Sequence, residues 1–170
     1  MGSLAAIDGA HVDAVEVSST RAELIRKSTN GMPVTVHVAD GREPGLEPGF
    51  DRVLVDAPCS GLGALRRRPE ARWRKSEADI KELNELQSAL LASAVNLTKS
   101  GGVVVYSTCS PDERETRGIV DKQLAAGDVD ELDIRDVLPG MGDLGPHLSA
   151  QMWPHRHGTD AMFVAALRKR

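Results

Sequence analysis

Two short apolar runs, VLV at 53–55 and VVVY at 103–106, flank a long stretch with apolar residues at helical spacing, and that arrangement leaves few folds open. A continuous apolar run of this length reads as a strand buried on both faces, the kind found in parallel sheets. Between the runs, Ile80, Leu83, Leu86, Leu90, Leu91, Ala94 and Leu97 follow Ser76 and Asp79, which together make a capping-box-like start. The helix is expected to end at Gly101 and Gly102. Strand, helix, strand in this order is a crossover unit, so the two strands should be parallel and adjacent in an α/β sheet.

The rest of the chain extends that sheet. Residues 12–17 form a short apolar run ending at Glu16 and Val17, after which Ser19 or Thr20 can cap a helix carrying Ala22, Leu24 and Ile25. Residues 34–38 alternate as a strand and give way to Ala39, Asp40 and Gly41; a Pro- and Gly-rich loop at 44–49 leads into the strand 50–55. Strand, helix, strand, loop, strand is the order of a doubly wound α/β fold. Further on, 112–126 is expected to be helical, 131–137 an outer strand, 139–146 a loop and 161–167 the last strand, while 4–10 reads as the tail of a helix. With 170 residues, 41% of them hydrophobic but only five aromatic, the chain should build one domain around an aliphatic core.

In an open α/β sheet, ligands bind beyond the carboxyl ends of the strands. DAPCSG occupies that place after the first apolar run and STCSP after the second, so the only two cysteines, Cys59 and Cys109, both follow buried strands. Adjacent strands lie about 4.8 Å apart, which would bring both thiols within ~10 Å of a common point. Their spacing is not that of a metal site, and two cysteines fit a reducing, cytoplasmic setting with both thiols free. Glu16, ending a strand before a helix, is placed to accept both hydroxyls of a ribose, although a solvated acid would look the same.

Net charge is −4, so a nucleic-acid partner requires a local basic patch. Residues 65–75 supply one: Arg66, Arg67, Arg68, Arg72, Arg74 and Lys75 stand against one acid, Glu70, a net +5. Such a run is usually a solvated face, but this one follows the first cysteine motif directly and carries Trp73, able to stack on a base while arginines engage phosphates. His155 and His157 read as loop histidines, with no metal expected. No run approaches the ~20 apolar residues of a membrane span, and no membrane partner is expected.

DAPCSG at 56–61, RRRPEARW leading to a helix containing ELQSALL, GGVVVYSTCS at 101–110 and HGTDAMFVAAL at 157–167 together resemble the NOL1/NOP2/Sun family, in particular its bacterial ribosomal members. The resemblance runs from about residue 12 onward. It implies an α/β, Rossmann-like class I methyltransferase sheet with strand order 3-2-1-4-5-7-6, S-adenosyl-L-methionine (AdoMet) as cofactor, and RNA, in particular ribosomal RNA, as partner. It also implies cytosine-C5 methylation, with Cys109 as the nucleophile adding to cytosine C6 and Cys59 assisting its release. Asp56 would hold the cytosine edge beside the cofactor, Glu16 the ribose of AdoMet and Asp40 its adenine edge. The family's first strand and its APGGK-type turn have no counterpart in the sequence. The chain is therefore expected to be a single, N-terminally truncated catalytic domain, weak in AdoMet binding and prone to self-association. The competing expectation is a catalytically inactive RNA-binding or interaction module, for which two cysteines in these turns would be unnecessary. A DNA cytosine methyltransferase would share only the Pro-Cys thiol.

Overall fold

The structure, a computed structural model, describes residues 9–70, 73, 76–138 and 140–170. The expected helix tail at 4–10 lies almost wholly outside them. The chain divides into two compact units, the first ending at Leu46 and the second beginning at Glu47.

The first unit is a strand-helix-strand crossover. β1 (Val12–Val15) and β2 (Val34–His37) pair in parallel, Val12 opposite Val34 and Val15 opposite His37. α1 (Ser19–Ser28) connects them, and its N-cap is Ser18 rather than Ser19 or Thr20: the Ser18 hydroxyl accepts from the Arg21 N–H at 3.4 Å. At the other end Thr29 donates its N–H and its hydroxyl to the Ile25 carbonyl. Among the described residues the buried hydrophobic side chains here are the small Ala14 and Ala22, and Leu24 stays exposed.

The second unit holds the remaining sheet. β3 (Phe50–Asp56) runs parallel to its direct neighbour β4 (Thr98–Thr108), as the crossover pattern expects, with Leu54 opposite Val105 and Asp56 opposite Ser107. α2 (Glu77–Leu97) joins them, and its start is a complete capping box between Ser76 and Asp79. The helix ends four residues before the glycines. Thr98 turns extended and its hydroxyl donates to the Ala94 carbonyl at 2.7 Å, so the chain enters β4 at once. Gly101 and Gly102 lie inside that strand, at an irregularity in the β3–β4 pairing; a Cβ on Gly102 would press on Thr98 Cγ2 at 2.6 Å and the Asp51 carbonyl at 3.0 Å.

Two other expected elements differ. The helix 112–126 is split into a tight turn, Glu113–Glu115, and α3 (Arg117–Ala126), because Thr116 leaves helical geometry at φ −122° and ψ −104°. The outer strand is β5 (Val129–Leu132), not 131–137. Asp133 accepts the Arg135 N–H at 3.0 Å, an Asx turn that takes the chain out of the sheet.

Two-residue β6 (Ala150–Gln151) precedes the one-turn α4 (Pro154–His157), and β7 (Phe163–Lys169) then runs antiparallel between β4 and β5. β6 pairs with β7 beyond β5. The ladders are thus β2–β1 in one unit and β3–β4–β7–β5 in the other, each in a strand order, 3-2 and 4-5-7-6, that occurs in Rossmann-like methyltransferase sheets.

One face of the larger sheet packs Val55, Val104, Leu167 and Ala165 against Leu91 and Val95 of α2 and Ile119 and Val120 of α3. Tyr106 is wholly buried there, edge-on to Phe163 with ring centres 6.3 Å apart. Ile134, Leu144, Met152 and Ala166, with Val103 and Val105, make a second, smaller core.

Candidate active site

β3 and β4 end side by side, and the Ala57 N–H still donates to the Ser107 carbonyl at 3.0 Å, so both cysteine turns leave the sheet from one edge. The Cys59 and Cys109 sulfurs are 3.4 Å apart, hydrogen-bonded and not joined as a disulfide. The turns are stitched together by main chain. After Gly61, at φ 72°, the chain tightens through Leu62–Ala64, where the Gly63 N–H donates to the Cys109 carbonyl at 2.9 Å and the Gly63 carbonyl accepts from Ala161 N–H at 3.0 Å. A Cβ at position 63 would collide with the Ala161 and Cys109 carbonyls, which explains a glycine there.

Two thiols this close cannot ionise independently. The hydrogen bond from Cys59 stabilises a thiolate on Cys109 and lowers its pKa to about 7, against the effect of partial burial and of the nearby Asp56 and Asp160 charges. The same bond, together with burial, pushes the Cys59 thiol up. The pair therefore holds one proton between two sulfurs near neutral pH, a nucleophile beside a proton carrier.

Asp56, the last residue of β3, is exposed at this edge. Asp160, which sequence reasoning passed over, is almost fully buried. Its Oδ2 accepts from Arg67 Nε at 2.9 Å and from Arg67 Nη2, while its Oδ1 is enclosed without a hydrogen-bond partner among the described residues. The site also contains the buried Glu115 and the close-packed Gly63, neither visible in the sequence as more than an acid in a charged turn and one glycine among sixteen.

The basic segment is only partly available. Arg66 donates to the Gly158 carbonyl at 3.3 Å, and Arg67 already has Asp160 as its partner. Arg68 and Trp73 are exposed, Trp73 at 85%. Arg72 and Arg74, with Lys75, lie outside the described residues.

In the first unit, Glu16 follows β1 and accepts from the Ser18 N–H and from Arg21 Nη2, both at 2.8 Å; the backbone bond and the guanidinium hold its carboxyl below its usual range. Asp40 lies beyond the end of the adjacent β2 and takes the Arg42 side chain in a fork, Nε at 3.0 Å and Nη2 at 2.6 Å, which brings its pKa to about 2. Both carboxylates are ionised acceptors at the exits of adjacent parallel strands.

A family model described as 16S rRNA methyltransferase RsmB/F matches residues 3–168. Putative methyltransferase Rv1407 of Mycobacterium tuberculosis is 57% identical over 164 residues, which is 94% of this chain and 35% of that protein. The probable ribosomal RNA small subunit methyltransferase B of Bacillus subtilis is 31% identical over 172 residues, 94% of this chain and 38% of that protein. The crystal structure of NSun6 from Pyrococcus horikoshii with SFG superposes at a TM-score of 0.80 with 29% identity, covering 94% of this chain and 41% of that one. The chain spans about a third of the length of these curated relatives, at 35% and 38%.

Proposed function

Because the chain belongs to the RsmB/F family of 16S rRNA methyltransferases, we propose that it carries the thiol half of an AdoMet-dependent site that methylates C5 of a cytosine in ribosomal RNA. The observation that carries this reading is the 3.4 Å contact between Cys59 and Cys109 at the exits of adjacent parallel strands. Cytosine C5 is a poor nucleophile, and a thiolate adding at C6 makes the ring an enamine whose C5 is reactive.

Cys109, held as thiolate near neutral pH by the Cys59 S–H, forms the C6–S bond. Asp56, exposed at the same edge, accepts from the exocyclic amine of the base and, when protonated, donates to N3. Bound AdoMet supplies the sulfonium methyl that the activated C5 takes up. Glu16 and Asp40 fit the nucleoside of that cofactor, since ribose hydroxyls and the adenine amine are donors and both residues are ionised acceptors.

Once the Cys109 sulfur is bonded to C6, the thiolate that kept Cys59 protonated is gone, so Cys59 releases its own proton to solvent and, as a thiolate, takes the C5 proton. The C5–H electrons then form the C5–C6 double bond, the C6–S bond breaks, and Cys109 leaves as thiolate. Arg68 and Trp73, exposed beyond the first cysteine turn, offer a cation and a stacking surface to the RNA.

The test is methyl transfer from labelled AdoMet to ribosomal RNA, resolved on denaturing gels. The protein carrying this chain should label RNA, Cys109→Ala should not, and Cys59→Ala should trap RNA covalently. A trapped complex in Cys109→Ala would reverse the two roles, and no labelling by the unsubstituted protein would overturn the reading.

A further inference from the structure

Glu115 is a carboxylate with no accessible surface, in the tight turn that follows the second cysteine motif. Its oxygens receive four hydrogen bonds. Oε1 accepts from the Ser60 N–H at 2.7 Å and Gln87 Nε2 at 3.2 Å; Oε2 accepts from the Ser60 hydroxyl at 2.5 Å and the Ser110 hydroxyl at 2.6 Å. Ser60 is the residue after Cys59 and Ser110 the residue after Cys109. One side chain therefore grips both cysteine turns, each one residue from its sulfur.

The grip is braced on every side. Gln87, wholly buried on α2, uses the same Nε2 to donate to the Pro58 carbonyl at 2.9 Å, which fixes the residue before Cys59. The Tyr106 hydroxyl donates to the Glu115 carbonyl at 2.8 Å, tying the turn back to β4. Four donors fill the acceptor positions of its two oxygens, the condition under which such a group can be buried. An ordinary packing position would carry an aliphatic residue and avoid this desolvation.

We propose that Glu115 is a positioning residue that holds the Cys59 and Cys109 turns in the register where their sulfurs meet. Its catalytic meaning rests on the thiol-pair reading proposed above, but its structural consequence is measurable without RNA or AdoMet. If the clamp loosens, the sulfurs separate, Cys109 loses its donor, and its thiolate becomes harder to form.

The experiment is alkylation of Cys109 by iodoacetamide across pH, read by peptide mass spectrometry on the protein carrying this chain, with Glu115→Gln and Glu115→Asp compared at equal folded fraction by circular dichroism. Asp56, Asp160, Arg67 and Cys59, titratable and charged groups acting on Cys109, are unchanged in these variants. In Glu115→Gln, where an amide donor replaces one acceptor oxygen, the midpoint should rise from about 7 to about 8 or above, cutting the thiolate fraction at pH 7 from about one half to about one tenth. Glu115→Asp keeps the charge with a shorter reach and should recover part of the shift. A folded Glu115→Gln with an unmoved, low midpoint would overturn the positioning role and leave the thiol pair standing; an ordinary midpoint in the unsubstituted protein would overturn both. If Glu115→Gln does not fold, Ser60→Ala and Ser110→Ala decide, since each removes one hydroxyl donor, and unmoved midpoints in both would also overturn the proposal.

Discussion

Replacing Cys59 by Ala should change how Cys109 titrates and reacts, in opposite directions at low and high pH. With Cys59 donating to it, Cys109 titrates at about 7, so about half is thiolate at pH 7. An ordinary thiol near 8.5 is only about 3% thiolate at that pH, a fall of roughly 15-fold. A more basic thiolate is a better nucleophile, with a Brønsted slope of about 0.4–0.5, which returns a factor of about 4 to 5 over this range. The net result is an iodoacetamide rate about 3-fold lower at pH 7 and about 4-fold higher at pH 10, where either thiol is fully ionised. Cys59→Ser keeps a hydroxyl donor in place and should fall between. A midpoint still near 7 in Cys59→Ala would refute the argument, because the low value would then come from something other than the partner sulfur.

Arg67→Ala leaves Asp160 almost fully buried with neither oxygen paired, and should cost about 1–3 kcal/mol in a urea titration. The neighbouring exposed Arg68→Ala should stay within about 0.5 kcal/mol. Gly63→Ala forces a methyl against the Ala161 and Cys109 carbonyls; overpacking of this kind costs about 1–3 kcal/mol, and the Cys109 alkylation midpoint should rise with it as the turn shifts. Ribosomal RNA should quench the emission of exposed Trp73, and Arg68→Gln should reduce the salt slope of binding by about 0.7 if it meets one phosphate of a single strand. An unchanged slope would return Arg68 to a solvated surface position.

The crossover at the centre of the fold was legible because its signals are long-range in sequence and independent: two apolar runs, a capping box and a helical stripe all require the same parallel pair. The placement of the cysteine turns at one sheet edge follows from it. Boundaries were less legible where a single side chain competes with the backbone pattern. Thr98 ends α2 ahead of the glycines, and Asp133 bends the chain out of the sheet inside what reads as a strand. Gly101 and Gly102, which read as a helix terminator, serve the strand instead. Asp160 and Glu115 could not be found by pattern, since a buried acid and a solvated one are the same letter. What distinguishes them is the partner, Arg67 lying 93 residues from Asp160 and Ser60 lying 55 residues from Glu115.

The position of β7 has a consequence for how this sheet comes together during synthesis. β5 is made before β7, yet its ladder is with β7, so when residues 129–132 emerge their hydrogen-bonding partner does not yet exist. β4 likewise waits with one side unpaired until residues 163–168 arrive. The nascent chain thus carries two open edges that a single late strand closes together, and unpaired edges are where strands of other chains add. Ribosome stalling or truncation upstream of Phe163 would remove an interior slat rather than a border, freeing both edges at once. It would also take away the segment whose Ala161 N–H bonds Gly63 next to the cysteine turns. Expression yield should therefore fall abruptly, not gradually, as stop codons are moved upstream through β7.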